Sequence, residues 1–359
     1  VTIEGNRYNL MQAIKLACAS EPPEIQTDRI HVRNGTYFVD GHFTPEKEYC
    51  MNRLPIAYVP EAPAPTRWLQ FLNELLYEED IPALLALGKE HIFIAEPGDE
   101  DKVHEEDVAR ALYSYCANES IYPSDVREGK IEAFAAWDGM LDIDVDRLNA
   151  INGIGDLTIV TKFTHTAVKK GGKLAGMRCI PLLMDKWQLD EAAKIWNGEP
   201  IFKVKPFVLK KVGIVTTGSE VATGRIADAF TPIIEERIAP FGMEKVAHEI
   251  VTDDTELIAE AIRKVKAAGA DLIFCTGGMS VDPDDLTSGA IARCADKVIT
   301  HGLPVLPGSM VCIAYMADGT PIVGLPGGVL FSKPTAFDVL LPRLAANDPI
   351  TKAQCVALG

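Results

Sequence analysis

The sequence predicts an α/β protein whose carboxyl-terminal part is a doubly wound, mostly parallel sheet, preceded by a smaller α+β region. Three observations predict it. From about residue 206 onward, short apolar runs alternate with helix-length amphipathic runs, the spacing of strand-helix-strand units. A fully apolar run, Leu272 to Cys275, opens directly into Thr276-Gly277-Gly278, as a buried strand does where it leaves a sheet for a ligand-facing turn. Residues 78 to 205, by contrast, mix helical spacing with short alternating segments.

Three segments follow in order, 1 to 77, 78 to 205 and 206 to 359. In the first, Asn34-Gly35 between Ile30 to Val32 and Tyr37 to Val39 predicts a hairpin, with Asp40-Gly41 closing the second run. A connector carrying Pro55, Pro60, Pro63 and Pro65 leads to Trp68 to Leu76, which has helical spacing. In the second, Glu78 to Leu87 is an amphipathic helix with acidic residues and Pro82 in its first turn, stopped by Gly88. Ile92 to Ala95 is a strand, and His104 to Ala117 a helix with Ala109, Leu112 and Cys116 on one face. Alternating segments cover Ile131 to Trp137, Gly139 to Val145 and Leu157 to Lys162, with a helical Asp146 to Ile151 between the last two. Lys169-Lys170-Gly171-Gly172-Lys173 reads as a solvated hairpin tip rather than a phosphate grip.

The third segment is the most regular. Lys211 to Thr216 is a strand, Gly218-Ser219-Glu220 a turn, and a helix runs from near Asp228 or Thr231 to Pro240, with Pro232 tolerable only in its first turn. Val246 to Val251 is a strand. Asp253, with Glu256 three residues on, makes a capping-box-like start to a helix bearing Leu257, Ile258, Ala261, Ile262 and Val265 on its apolar face. Gly269 ends that helix, and the strand to Thr276 follows.

Composition bounds the function. The 359 residues are 47% hydrophobic and 24% charged, ordinary for a globular chain, and the length suits two or three domains at roughly 150 residues each. A net charge of −16 excludes broad binding to nucleic acid or to anionic lipid, which rests on a cationic surface. No apolar run approaches the roughly 18 residues of a membrane span. The chain opens at Val1 without a basic start and apolar core, so a cytoplasmic location is expected. Eight cysteines without a Cys-x-x-Cys pair argue against zinc and against a disulfide scaffold. His91, His104 and His165 have no second ligand at useful spacing.

The chemistry concentrates after residue 275. A turn free of bulky side chains lets consecutive backbone amides form a nest for an anion, and a following helix start adds positive potential. Thr276-Gly277-Gly278 is therefore a phosphate seat. Asp282, Asp284 and Asp285 follow closely, and carboxylates beside such a seat suggest a shared Mg²⁺. The plain alternative is a strand-to-helix turn in which Asp284 or Asp285 caps a helix beginning near Leu286. Asp253 and Asp228 are likewise open between helix cap and ligand, Asp271 reads as a solvated strand start, and Asp282 can merely support the Pro283 turn.

Two resemblances add to this. Asn34 to Phe38, Pro45 to Cys50, Arg53-Leu54-Pro55 and Arg67 to Leu72 resemble the linker preceding the helicase domain of phage and plasmid primase-helicases, over about residues 30 to 80. The phosphate loop that should follow in that family, Gly-x-x-x-x-Gly-Lys-[Ser/Thr], occurs nowhere in the chain. The other resemblance is broader. Thr217-Gly218-Ser219-Glu220-Val221, Gly224-Arg225-Ile226, Asp228-Ala229-Phe230, Asp253-Asp254, Thr276-Gly277-Gly278-Met279-Ser280 with Asp285, and Gly324-Leu325-Pro326-Gly327 resemble, in this order, the molybdopterin-binding domains of molybdenum-cofactor biosynthesis. Residues 78 to 205 are similar to the region before that domain in molybdopterin molybdenumtransferase-like proteins.

That resemblance implies a ligand and roles. Thr276, Gly277, Gly278 and Ser280 would hold the phosphate of molybdopterin, with Gly218, Ser219, Pro326, Gly327 and Gly328 completing the binding turns. Asp285, Glu220 and Asp253 would serve the chemistry, and Asp228, Asp254 and Asp285 would hold Mg²⁺. Family members either adenylylate molybdopterin with Mg-ATP or use adenylylated molybdopterin to insert molybdate, releasing AMP. Two departures stand out: Leu325-Pro326-Gly327-Gly328-Val329 where transferases carry Leu-Pro-Gly-Asn-Pro, and Ala229-Phe230 after Asp228 where they carry Ser-Asn. A nucleotide pyrophosphatase of related fold and a non-catalytic pterin-binding protein remain as alternatives, with molybdopterin and molybdate the expected partners and a homo-oligomer an open expectation.

Overall fold

A computed structural model describes residues 101–280 and 285–358 and, within the first hundred, only the backbone of three short strands. These are β1 (Arg29–Val32), β2 (Gly35–Phe38) and β3 (Phe43–Thr44), an antiparallel meander in which Ile30 pairs with Tyr37. The hairpin expected around Asn34-Gly35 is there, with Val32 opposite Gly35. The helices expected over 68–76 and 78–87, the strand over 92–95, and Asp282 and Asp284 lie outside the described residues. Among the described residues no helix is long and apolar enough to cross a membrane.

Two compact units result, residues 1–108 with 179–189, and residues 109–178 with 190–359. In the first, β4 (Lys102–His104) pairs antiparallel with β11 (Leu183–Asp185). The helix α1 (Glu105–Ser114) opens with Glu105, Glu106 and Asp107, charges that favour the amino end of a helix dipole.

The second unit opens with two small antiparallel sheets. One has the order β5 (Ile121–Pro123), β6 (Ile131–Ala135), β10 (Lys173–Cys179), β8 (Leu157–Thr161). The other has the order β12 (Phe202–Pro206), β7 (Gly139–Ile143), β9 (Ala167–Val168). Asp144 caps α2 (Val145–Asn152), and α3 (Lys186–Trp196) precedes β12. The alternating segments expected over 131–162 are therefore strands, with the helix between them. The Lys169 to Lys173 turn is solvated as expected but is not a hairpin tip. It joins strands of different sheets, and the Lys169 ammonium is held by Asp138 at 2.8 Å and by the Pro240 carbonyl at 3.0 Å.

The rest is a six-stranded sheet in the order β14 (Glu244–Val251), β13 (Lys211–Thr217), β15 (Leu272–Thr276), β18 (Pro321–Leu325), β17 (Cys312–Tyr315), β16 (Lys297–His301). The first four strands are parallel to one another, and β17 alone runs the other way, pairing antiparallel with both β18 and β16. Both faces of β13 and β15 are buried, so these strands read as continuous apolar runs. On one face Val212, Ile214, Leu272 and Phe274 pack with residues of α5 (Phe230–Ile238) and α8 (Ala336–Ala345). On the other, Val215, Ile273 and Cys275 pack with residues of α6 (Thr255–Ala267) and α7 (Thr287–Cys294). Helices on both faces make the sheet doubly wound. Gly213 permits this closeness, since a Cβ there would stand 2.9 Å from the Val265 side chain.

Candidate functional site

Register decides where the site forms. Thr217 pairs with Val251, Thr216 with Thr276, and Thr276 with Leu325, so the four parallel strands end on one line. The turns that leave them, 252–254, 218–220, 277–278 and 326–328, gather along this carboxyl edge, where doubly wound sheets bind ligands.

At its centre stands Thr276. Its side chain is fully buried, and its Oγ1 has no hydrogen-bond partner, a cost that buried hydroxyls seldom carry without a use. The chain then turns through Gly277 at φ +85° and Gly278 at φ +52°. A Cβ on Gly277 would collide with the Thr217 carbonyl and stand 2.7 Å from Thr217 Oγ1, and one on Gly278 would stand 2.8 Å from Thr287 Oγ1. The Thr217 and Thr287 hydroxyls lie 3.0 Å apart, and the Thr287 amide donates to the Gly278 carbonyl at 3.2 Å. Glycine is thus fixed by both backbone angle and close approach. Met279 is buried, with its carbonyl 3.3 Å from His301 Nε2, and Ser280 is exposed. Asp285 is half-buried ahead of α7, where Leu286 occupies the cap position without a side-chain bond.

The neighbouring turn is built on Gly218 at φ +140°, whose amide donates to the Val251 carbonyl. It opens a single helical turn, α4 (Ser219–Ala222), where the sequence suggests only a turn. The Ser219 amide and hydroxyl donate to Asp253 Oδ2 at 2.9 and 3.2 Å. The capping expectation is corrected by one residue: Asp254, in extended conformation, accepts from the Glu256 and Leu257 amides and caps α6. Glu220 is exposed at the rim, its carbonyl accepting from the Arg225 and Ile226 amides.

Asp228 ties this loop down. Its Oδ1 accepts from the Phe230 and Thr231 amides, and its Oδ2 from the Thr231 and Thr216 hydroxyls, with His248 Nε2 at 3.3 Å. Burial pushes its carboxyl up, but the bonds from Thr231, Phe230 and Thr216 together hold it below the ordinary carboxylate value. Burial likewise lowers the His248 imidazole, against the opposing pull of Asp228. Asp271, read as a solvated strand start, accepts from the Lys210 and Lys211 amides.

Pro326 is buried and starts a short 3₁₀ turn over Gly327–Leu330. Open space surrounds the Cβ position of Gly327, whereas that of Gly328 lies 3.6 Å from the Gly308 amide nitrogen. The buried Arg237 of α5 holds the next stretch. Its guanidinium donates to the Val329 and Ser332 carbonyls, to Thr335 Oγ1 and to Asp338. Sequence reasoning missed Arg237, His248, Thr287 and His301. Each meets its partner far along the chain, so no local pattern marks it.

Of the expected Mg²⁺ ligands, Asp228 does not fit a cation. Both oxygens of Asp228 are committed to hydrogen bonds, one oxygen of Asp254 is committed to the cap of α6, and among the described residues no three His, Cys, Asp or Glu stand together as ligands.

Residues 213–346 match the model of a family described as a probable molybdopterin binding domain. A CinA-like protein of Mycobacterium sp. strain MCS is 41% identical over 91 residues, 25% of this chain and 21% of that protein. A CinA-like protein of Desulfosudis oleivorans is 40% identical over 84 residues, 23% of this chain and 20% of that protein. The matched stretch spans about a fifth of the length of these curated relatives. Among solved structures, the molybdopterin biosynthesis enzyme MoaB of Thermus thermophilus aligns at 25% identity and TM-score 0.34, over 40% of this chain and 99% of that one. The molybdopterin biosynthesis Mog protein of Mycobacterium ulcerans aligns at 28% identity and TM-score 0.32, over 38% and 94%. The family match covers the six-stranded sheet from Gly213 in β13 through α8, with all four turns of the carboxyl edge.

Proposed function

We propose that the carboxyl edge binds molybdopterin, its phosphate seated at Thr276-Gly277-Gly278, as a step of molybdenum-cofactor biosynthesis. The observation that carries this reading is the buried, unpartnered Thr276 hydroxyl at the mouth of a glycine turn. A phosphate oxygen would satisfy that hydroxyl and take the adjacent amides as donors. Ser280, Gly218 and Ser219 flank this seat, and Pro326, Gly327 and Gly328 form the opposite wall. Glu220, Asp253 and Asp285 are the carboxylates proposed to act beside the bound ligand.

The finer reading is molybdate insertion into adenylylated molybdopterin, releasing AMP. That reaction gains from fixed dipoles aimed at dispersed negative charge rather than from a protein nucleophile, and glycine amides and hydroxyls supply such dipoles. Gly328, standing where transferases carry Asn, offers no side-chain donor or acceptor, which weighs toward binding over turnover.

The test is titration of the full chain with molybdopterin, followed by incubation of adenylylated molybdopterin with molybdate. Saturable binding is expected. Molybdate-dependent AMP release would establish the transferase reading, and binding without release would leave a pterin-binding protein. AMP formation from ADP-ribose with Mg²⁺, in the absence of molybdopterin binding, would overturn the proposal in favour of a nucleotide pyrophosphatase.

A further inference from the structure

Beside the glycine turn that follows β18, two large apolar side chains stand almost wholly in solvent, Phe331 and Leu306, each 85% exposed. Their loops touch: the Ala336 amide donates to the Pro307 carbonyl at 3.0 Å, and the Cβ position of Gly328 is 3.6 Å from the Gly308 amide nitrogen. Phe331 is also held in place. Its amide donates to the Gly328 carbonyl, while Arg237 grips the carbonyls on either side of it, Val329 at 2.9 Å and Ser332 at 2.6 Å. A buried guanidinium thus fixes the backbone that keeps an aromatic ring out of the core. Arg237 itself is removed from water, with Asp338 at 2.9 Å as its counter-charge.

We infer that Phe331 is the stacking face for the planar heteroaromatic end of the ligand whose phosphate sits at Thr276; the inference rests on the proposed function. Continuity with the seat supports it. Leu325 pairs with Thr276 across adjacent strands, and adjacent strands lie about 4.8 Å apart. Gly328 is three residues further on, at most about 11 Å away at full extension, and Phe331 closes the short turn from it. The span suits a ligand with a phosphate at one end and a fused bicycle at the other. At Gly327, between Leu325 and Phe331 along the chain, no atom stands within 4 Å of the Cβ position. An aromatic ring presented on a fixed backbone gains stacking energy with little ordering cost.

The experiment compares Phe331→Ala and Phe331→Tyr with the unsubstituted full chain, by molybdopterin titration, thermal melting and sedimentation. Removing a stacked ring is expected to weaken molybdopterin binding roughly tenfold, and Tyr to restore it, with the melting temperature of both variants unchanged because the ring is exposed. Unchanged affinity in Phe331→Ala overturns the inference, as does a loss that Tyr does not recover. Dissociation of an oligomer by Phe331→Ala at unchanged affinity overturns it too, by assigning the face to a second copy of the chain. Failure of the unsubstituted chain to bind molybdopterin overturns the proposed function along with it, which separates the two failures.

Discussion

At Thr276 stability and binding are set against each other. A buried hydroxyl without a partner costs roughly 1–3 kcal/mol relative to one that is bonded, and Thr276 Oγ1 is in that state. Thr276→Val keeps the shape and removes the polar atom. The ligand-free chain is therefore expected to melt at the same temperature or slightly higher, while molybdopterin affinity falls about tenfold through loss of one phosphate hydrogen bond. Equal losses of stability and affinity would make Thr276 an ordinary core residue. Gly278 is a poorer place to ask the question, because a Cβ there meets Thr287 Oγ1 at 2.8 Å and any side chain disturbs the fold as well as the ligand. The importance of these glycines was legible in the sequence, but their reason was not. It lies in Thr217 and Thr287, which reach the turn from other elements. The neighbouring aspartates show the same limit. The Glu256 spacing points to Asp253 as the cap, whereas the extended Asp254 takes that role and leaves Asp253 to hold the Ser219 turn.

Among the elements, the strands and helices from Lys211 to Thr276 were legible because each carries its own period and its own stop signal. The antiparallel arm formed by β17 and β16 was not. Its strands are short, and their place beyond β18 depends on pairing across the sheet rather than on local spacing. A turn at Asp318 joins β17 to β18 and ties them to the end of α6. Asp318 Oδ1 accepts from the Thr320 amide at 3.0 Å, and Lys266 Nζ lies 2.8 Å from Oδ2. The Lys266 bond first, then those from Thr320, lower the Asp318 carboxyl to about 2. Its folded value lies below the roughly 3.9 of an unfolded chain. The contribution is therefore fully present above about pH 4 and is lost as pH falls toward 2. Asp318→Asn is expected to lower the melting temperature at pH 6, and the gap from the unsubstituted chain should narrow as pH drops below about 4. A gap that stays constant from pH 6 to pH 3 would show that the carboxylate charge does not support this turn.

For the whole molecule, the question is how much of the chain the site needs. Residues 109–178 and 190–359 form one compact unit, and the boundary expected at 205 falls inside it. Lys205 bridges Asp142 and Asp348 at 2.8 and 2.6 Å, and Lys169 reaches the Pro240 carbonyl. These links are partly exposed ion pairs and a single hydrogen bond, the kind of contact worth at most about 1 kcal/mol each. Both cores that sandwich the six-stranded sheet, in contrast, draw every buried residue from Leu209 to Cys355. Asp348 also keeps a partner without Lys205, since Arg343 Nε donates to it at 2.7 Å. A fragment spanning 206–359 therefore retains its hydrophobic cores, its dominant source of stability, and all the turns of the carboxyl edge. It is expected to unfold in one cooperative transition at a lower temperature than the full chain, and to bind molybdopterin within about threefold of it, which is under 1 kcal/mol. Circular dichroism melts and a molybdopterin titration check both halves. A fragment that folds but does not bind, while the full chain does, would mean that residues before 206 complete the site and that the carboxyl edge alone is insufficient.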